Sequence, residues 1–163
     1  MTKSLKILCI GNSFSDDMCE YAWEVAKSLG FNNVKIGNLY IGGCSLSTHL
    51  YNSKHNNDCY EYRVNESGVW VTALHSIEFA LKSDNWDIIT MQQASHCSGL
   101  PETYKANLDG LIDYVKTNAT NKNVKLFWHM TWAYDINSSH PNFYWYKNDQ
   151  AFMYAQILNT VRY

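Results

Sequence analysis

Leu5-Lys6-Ile7-Leu8-Cys9-Ile10-Gly11-Asn12-Ser13-Phe14-Ser15 stands near the start of the chain and decides its architecture. Leu5 to Ile10 is a short apolar run rich in branched residues, the composition of a strand buried on both faces. Gly11 ends the run and permits a tight turn with close backbone approach. Ser15, Asp16 and Asp17 read as a helix start, with a capping hydroxyl and the negative charge that a helix N-terminus favours. Ser13 therefore falls between the carboxyl end of a strand and the amino end of a helix. Open α/β sheets bind ligands at that edge, and free backbone N–H groups there stabilise an anion, including a tetrahedral oxyanion.

Outward from this unit the chain alternates strands with helices. Met18, Tyr21, Ala22, Val25, Ala26 and Leu29 recur at helical spacing, and Gly30 is placed to end that helix. Val34 to Ile41 reads as a second strand broken by Gly42-Gly43, after which Ser45 caps a short helix through about Ser53. Tyr60 to Val64 and Val69 to Val71 alternate around Asn65-Glu66-Ser67-Gly68, a hairpin signal that predicts an insertion decorating the main sheet. Thr72 to Ser83 reads as a helix. Asp87 to Met91 is a third strand running into Gln92-Gln93-Ala94-Ser95-His96. Thr103 to Asn118 carries Leu108, Leu111, Ile112 and Val115 on one helical face. Val124 to Met130 is a fourth strand, followed by an aromatic-rich loop and a last helix capped by Asn148 or Asp149. The pattern predicts a three-layer α/β/α domain spanning residues 1–163, with a flavodoxin-like parallel sheet of order 2-1-3-4. The loops after its first three strands then meet at one edge.

At 163 residues the chain can bury about two-thirds of its unfolded surface in one domain. A net charge of −2 with 17% charged residues gives no footprint for nucleic acid or an anionic membrane. Apolar runs fall far short of a membrane span, and the N-terminal run is too short for a signal peptide. The expectation is a cytoplasmic protein, or a secreted or periplasmic one whose leader has been removed. Five cysteines (Cys9, Cys19, Cys44, Cys59 and Cys97) without a Cys-x-x-Cys pair fit free thiols rather than a disulfide framework or zinc site. No metal-ligand spacing stands out, and no cofactor is implied.

Gly11-Asn12-Ser13-Phe14-Ser15 directly after the first strand resembles the nucleophile block of the SGNH (GDSL-type) hydrolases, with Asn12 where that family often has Asp. More narrowly, the chain is similar to a bacterial branch of that superfamily known as a domain of unknown function. The resemblance implies a serine esterase acting on a carboxylic ester, with O-acetyl groups on carbohydrate as one substrate class. It makes Ser13 the nucleophile, with its own N–H and that of Gly43 as oxyanion donors. The family's third donor is an Asn after the third strand; here the register offers His96 or Gln93 instead, with Gln92 and Ser95 as further options.

The general base does not map. The family supplies it from an Asp-x-x-His block after a fifth strand, and the sequence contains neither. His140, with Asp135 nearby, follows the fourth strand on the correct edge but matches no family block; His129 reads as packed within that strand. The reading is that the sheet lacks its last strand and that the base comes from outside the chain. The fourth strand is then a bare edge open to self-association. Two other readings keep the fold without catalysis. In one, Gly11 to Ser15 cradles the phosphate of a flavin, although the loop is short and lacks a run of hydroxyl residues. In the other, Trp128, Trp132, Tyr134, Phe143, Tyr144, Trp145 and Tyr146 form an aromatic wall that binds carbohydrate.

Overall fold

The computed structural model of the chain describes residues 3–162. Its centre is a six-stranded mixed sheet of order β4-β3-β2-β1-β5-β6. The strands are β1 (Ser4–Gly11), β2 (Asn33–Tyr40), β3 (Tyr60–Asn65), β4 (Trp70–His75), β5 (Ile88–Met91) and β6 (Lys125–Trp128). The helices are α1 (Ser13–Cys19), α2 (Ala22–Ser28), α3 (Leu46–His55), α4 (Ile77–Lys82), α5 (Lys105–Asn118) and α6 (Gln150–Val161). The strands β2, β1, β5 and β6 are parallel and stand in the expected order, as crossover helices between consecutive strands require.

Alternation along β1 sends Leu8 and Ile10 to one face and Cys9 to the other. Leu8, Ile10, Leu39, Ile89 and Met91 form the larger core with Leu46 of α3, Ala80 and Leu81 of α4, and Leu111 and Val115 of α5. On the opposite face Cys9, Val34 and Ile36 meet Cys19 of α1 and Ala26 of α2. A third cluster, Phe143, Tyr146, Met153 and Ile157, fastens α6 to the loop before it. Among the described residues no helix is long and apolar enough to cross a membrane.

The structure revises several expectations. The first helix starts at Ser13 rather than Ser15, because Asn12 supplies the cap. A turn at Glu20 and Tyr21 then splits that helix in two. The break shifts the helical phase, so Met18, Tyr21, Val25 and Leu29 are exposed while Cys19 and Ala26 are buried. The hairpin is longer than its apolar alternation suggests. β3 and β4 pair over six rungs from Tyr60↔His75 to Asn65↔Trp70, and α4 begins only at Ile77, capped by the Ser76 side chain. Nor is the hairpin an ornament. β3 joins β2 antiparallel, with Asn38 opposite Arg63, so it extends the main sheet beside the first helix.

Candidate active site

Ser13 is the first residue of α1 and is exposed. Beneath it Asn12, 1% exposed, forms a three-way latch. Its Oδ1 accepts the Phe14 N–H at 3.2 Å, capping the helix. Its Nδ2 donates to the carbonyls of Cys44 at 3.0 Å and Gln93 at 3.4 Å. The Gln92 amide in turn donates to Asn12 Oδ1. One side chain thus ties the turns after β2 and β5 to the loop carrying Ser13. The Ser15 hydroxyl, fully buried, lies 2.8 Å from both the Asn12 carbonyl and Asn38 Oδ1 and donates between them. Gly11 is small of necessity: a Cβ there would stand 2.6 Å from Gln92 Oε1 and from Ser15 Oγ.

Among the described residues the N–H groups of Ser13 and Gly43 donate to no backbone carbonyl or side chain. The Ser13 N–H is one of the orphan donors of a helix start. Gly43 adopts φ +64° in an exposed turn closed by the Cys44 N–H on the Ile41 carbonyl at 3.2 Å, a conformation that suits glycine. The Asn12–Cys44 bond holds that turn against the Ser13 loop.

The other candidates fall elsewhere. Gln93 is 1% exposed; its Oε1 accepts from the N–H groups of Leu46 and Ala94, both at 2.9 Å, and its Nε2 donates to Thr103 at 3.1 Å. It braces three loops. His96 turns toward the loop after β6, its ring 6.4 Å from His140 and 5.9 Å from Trp145. Burial and the charge of His140 both lower its pKa. His140 and Asp135 do not form a pair. His140 Nδ1 accepts the Asn142 N–H at 3.2 Å as a cap, while Asp135 accepts the Asn137 N–H at 2.8 Å.

The surroundings of Ser13 include residues to which sequence reasoning assigned no role there. Ser13 lines a cavity of about 450 Å³ with Asp16, Asp17, Glu20, Arg63 and Trp70. The last two come from the hairpin, whose reach was not visible from its alternation. On the far side of α1, Phe14 packs edge-on against Trp132 at 4.3 Å, so the aromatic loop after β6 comes within one residue of Ser13. His129, just past β6, donates its N–H to the Met91 carbonyl at 2.8 Å. Burial lowers the pKa of its side chain, and the carboxylate of Asp17 partly opposes the shift. Its Nδ1, with Gln92 Oε1 and Thr131 Oγ1, is buried and has no hydrogen-bond partner among the described residues. No group of three or more His, Cys, Asp or Glu among those residues is arranged to hold a metal.

A family model described as a domain of unknown function (DUF4886) matches residues 6–163. The solved structure of a DUF4886 family protein from Bacteroides uniformis ATCC 8492 is 39% identical, superposes with a TM-score of 0.93 and covers 98% of this chain. The chain spans 62% of that protein's length. A proposed SGNH hydrolase from Slackia heliotrinireducens is 18% identical with a TM-score of 0.62, over 98% of this chain and 73% of the other. The fold is thus similar to an SGNH hydrolase-like structure. No curated protein matches the chain at a significant level.

Proposed function

The chain belongs to the DUF4886 family, and from that premise we propose that it carries the nucleophile and oxyanion half of an SGNH-type serine esterase. The observation that carries this reading is the setting of Ser13: an exposed hydroxyl at the first turn of α1, on the rim of a cavity, beside the unengaged N–H groups of Ser13 and Gly43. The fold likeness to the Slackia heliotrinireducens protein supports it.

In this reading Ser13 Oγ gives its proton to a general base as it attacks the carbonyl carbon of a carboxylic ester. The carbonyl oxygen becomes an oxyanion held by the two N–H groups and by the positive end of α1. The ester C–O bond then breaks, the alcohol leaves with a proton from the base, and an acyl-Ser13 forms that water hydrolyses. With Gln93 committed to bracing and His96 turned toward the loop after β6, the reading rests on the two N–H donors. His140 serves as a cap, and among the described residues no histidine forms an ion pair with a carboxylate. Exposed Trp132, packed on Phe14, and Trp70 on the cavity rim favour a substrate with flat apolar faces, such as an O-acetylated carbohydrate.

The test is labelling with a fluorophosphonate probe, with and without millimolar imidazole to stand in for the base. We expect wild type to be labelled, faster with imidazole, and Ser13→Ala to remain unlabelled in both conditions. Equal labelling of the two proteins, or none of either, overturns the reading.

A further inference from the structure

We propose that Arg63 is a positioning residue for Ser13, holding the first turn of α1 in place and neutralising the carboxylate of Asp16 beside the site of the developing oxyanion. The proposal rests on the esterase reading above for its chemistry, and on the geometry of the hairpin for its substance.

Asp16 lies three residues after Ser13, on the same helix face, and both line the cavity. An uncompensated carboxylate there repels negative charge that builds on a carbonyl oxygen at the helix start, opposing the help given by the helix N-terminus. The sequence offers no cation on α1 itself: Ser13 to Cys19 contains no Lys or Arg. The compensation comes from another element. Arg63 Nη1 donates to Asp16 Oδ1, and Arg63 Nη2 stands 2.6 Å from Glu61 Oε2. Its guanidinium lies over the Tyr40 ring, 4.2 Å from the centroid. A planar guanidinium held on two carboxylates and an aromatic face is fixed in a way a lysine ammonium is not.

The register explains how this cation reaches its target. Arg63 pairs directly across from Asn38, and the Asn38 amide donates to the same Asp16 Oδ1 at 3.4 Å. Asn38, fully buried, accepts from the Ser15 hydroxyl through its other side-chain atom. Two cross-strand neighbours therefore grip one carboxylate from the same face of the sheet, and the chain of bonds ends at the Asn12 carbonyl under Ser13. The antiparallel hairpin supplies the charge the parallel sheet lacks at this corner.

The experiment compares wild type, Arg63→Ala, Arg63→Lys and the double variant Arg63→Ala with Asp16→Asn. It measures the fluorophosphonate labelling rate with imidazole, and the hydrogen-exchange rates of the amides of residues 12–17. Arg63→Ala should label about tenfold or more slowly, the scale of one uncompensated charge at short range in a partly screened site. Arg63→Lys should recover part of the loss. The double variant should recover most of it, because removing the carboxylate removes the need for the cation; a merely structural tie would not be mended by losing its second partner. Exchange over residues 12–17 should quicken in Arg63→Ala while the amides of β1 stay protected. Wild-type labelling in Arg63→Ala, or no recovery in the double variant, overturns the proposal. If wild type itself is not labelled, the esterase reading falls, and unchanged exchange at residues 12–17 then overturns the positioning role independently.

Discussion

The Asn12 side chain donates to the Cys44 carbonyl 3.0 Å away, across 32 residues of sequence, and so fixes the turn after β2 against the loop that carries Ser13. The same side chain caps α1 and accepts from Gln92. Asn12→Ala therefore removes a helix cap and leaves two buried carbonyls without a donor, a loss of about 2–4 kcal/mol. At this chain length that is a fall in Tm of roughly 5–15 °C. Asn12→Asp keeps the capping oxygen but sets a carboxylate against the carbonyls of Cys44 and Gln93, and should also destabilise. Urea unfolding of the three proteins checks both; an Asn12→Asp protein as stable as wild type would show that the latch is not what joins these loops.

Gly11→Ala tests the packing under Ser13. The new Cβ meets Gln92 Oε1 and Ser15 Oγ at 2.6 Å; both side chains are buried, Ser15 Oγ held by its bond to Asn38 and the Gln92 amide held through Nε2 on Asn12. Neither can swing away cheaply, so the strain should cost about 1–3 kcal/mol. The displaced loop should also slow labelling at Ser13. Gly43→Ala makes the contrast: nothing stands within 4 Å of its Cβ, so its cost is that of the left-handed backbone alone, about 1 kcal/mol.

The parallel half of this architecture was legible because strands buried on both faces leave continuous apolar runs, such as Leu5 to Ile10 and Asp87 to Met91, and the helices between them force parallel pairing. The start of α1 was not. Asn12, Ser13 and Ser15 are all capping residues, and the choice is made by Asn38, which claims the Ser15 hydroxyl from 23 positions away. The hairpin's alternation announced a hairpin, but pairing of β3 with β2 is a tertiary fact, and with it the placing of Arg63 and Trp70 in the cavity. The length of β4 was obscured by Thr72 to His75, whose composition suits helix or strand; the Ser76 cap was the available signal that the helix starts later. Gln93 was readable as a polar residue past a strand, but whether its amide faced a substrate or the loops around it depended on Thr103, ten positions on, and on Leu46, 47 positions back.

Gln93 gives a prediction that separates bracing from catalysis. Gln93→Ala leaves the N–H groups of Leu46 and Ala94 unpaired in a buried site and should lose about 2–4 kcal/mol. Gln93→Glu preserves an oxygen acceptor for both N–H groups, so it should be less destabilising than Gln93→Ala. A carboxylate cannot donate to an oxyanion and repels it, so in an oxyanion hole this substitution would abolish labelling. Labelling of Gln93→Glu within a fewfold of wild type is the expected result, and complete loss in a folded protein would return Gln93 to the oxyanion hole.

The last prediction concerns stability against pH and rests on His49. Its ring is fully buried on α3, with Nδ1 2.9 Å from the Tyr60 hydroxyl and 3.5 Å from Cys44 Sγ, and burial lowers its pKa to about 3. In the unfolded chain the same ring titrates near 6.5. Below that value the unfolded state takes up a proton the folded state refuses, so its protonation favours unfolding. Stability from this group is complete above about pH 6.5 and declines by about 1.4 kcal/mol per unit as pH falls toward 3. His96 and His129, whose pKa values burial also lowers, act in the same direction. His49→Gln, which can still bond the Tyr60 hydroxyl, isolates the contribution. Urea unfolding between pH 7.5 and 4.5 should show a slope smaller in the variant by about one proton's worth, whatever its stability at neutral pH. Equal slopes would mean that His49 accepts a proton in place, and that the core around Tyr60 opens more readily than its burial implies.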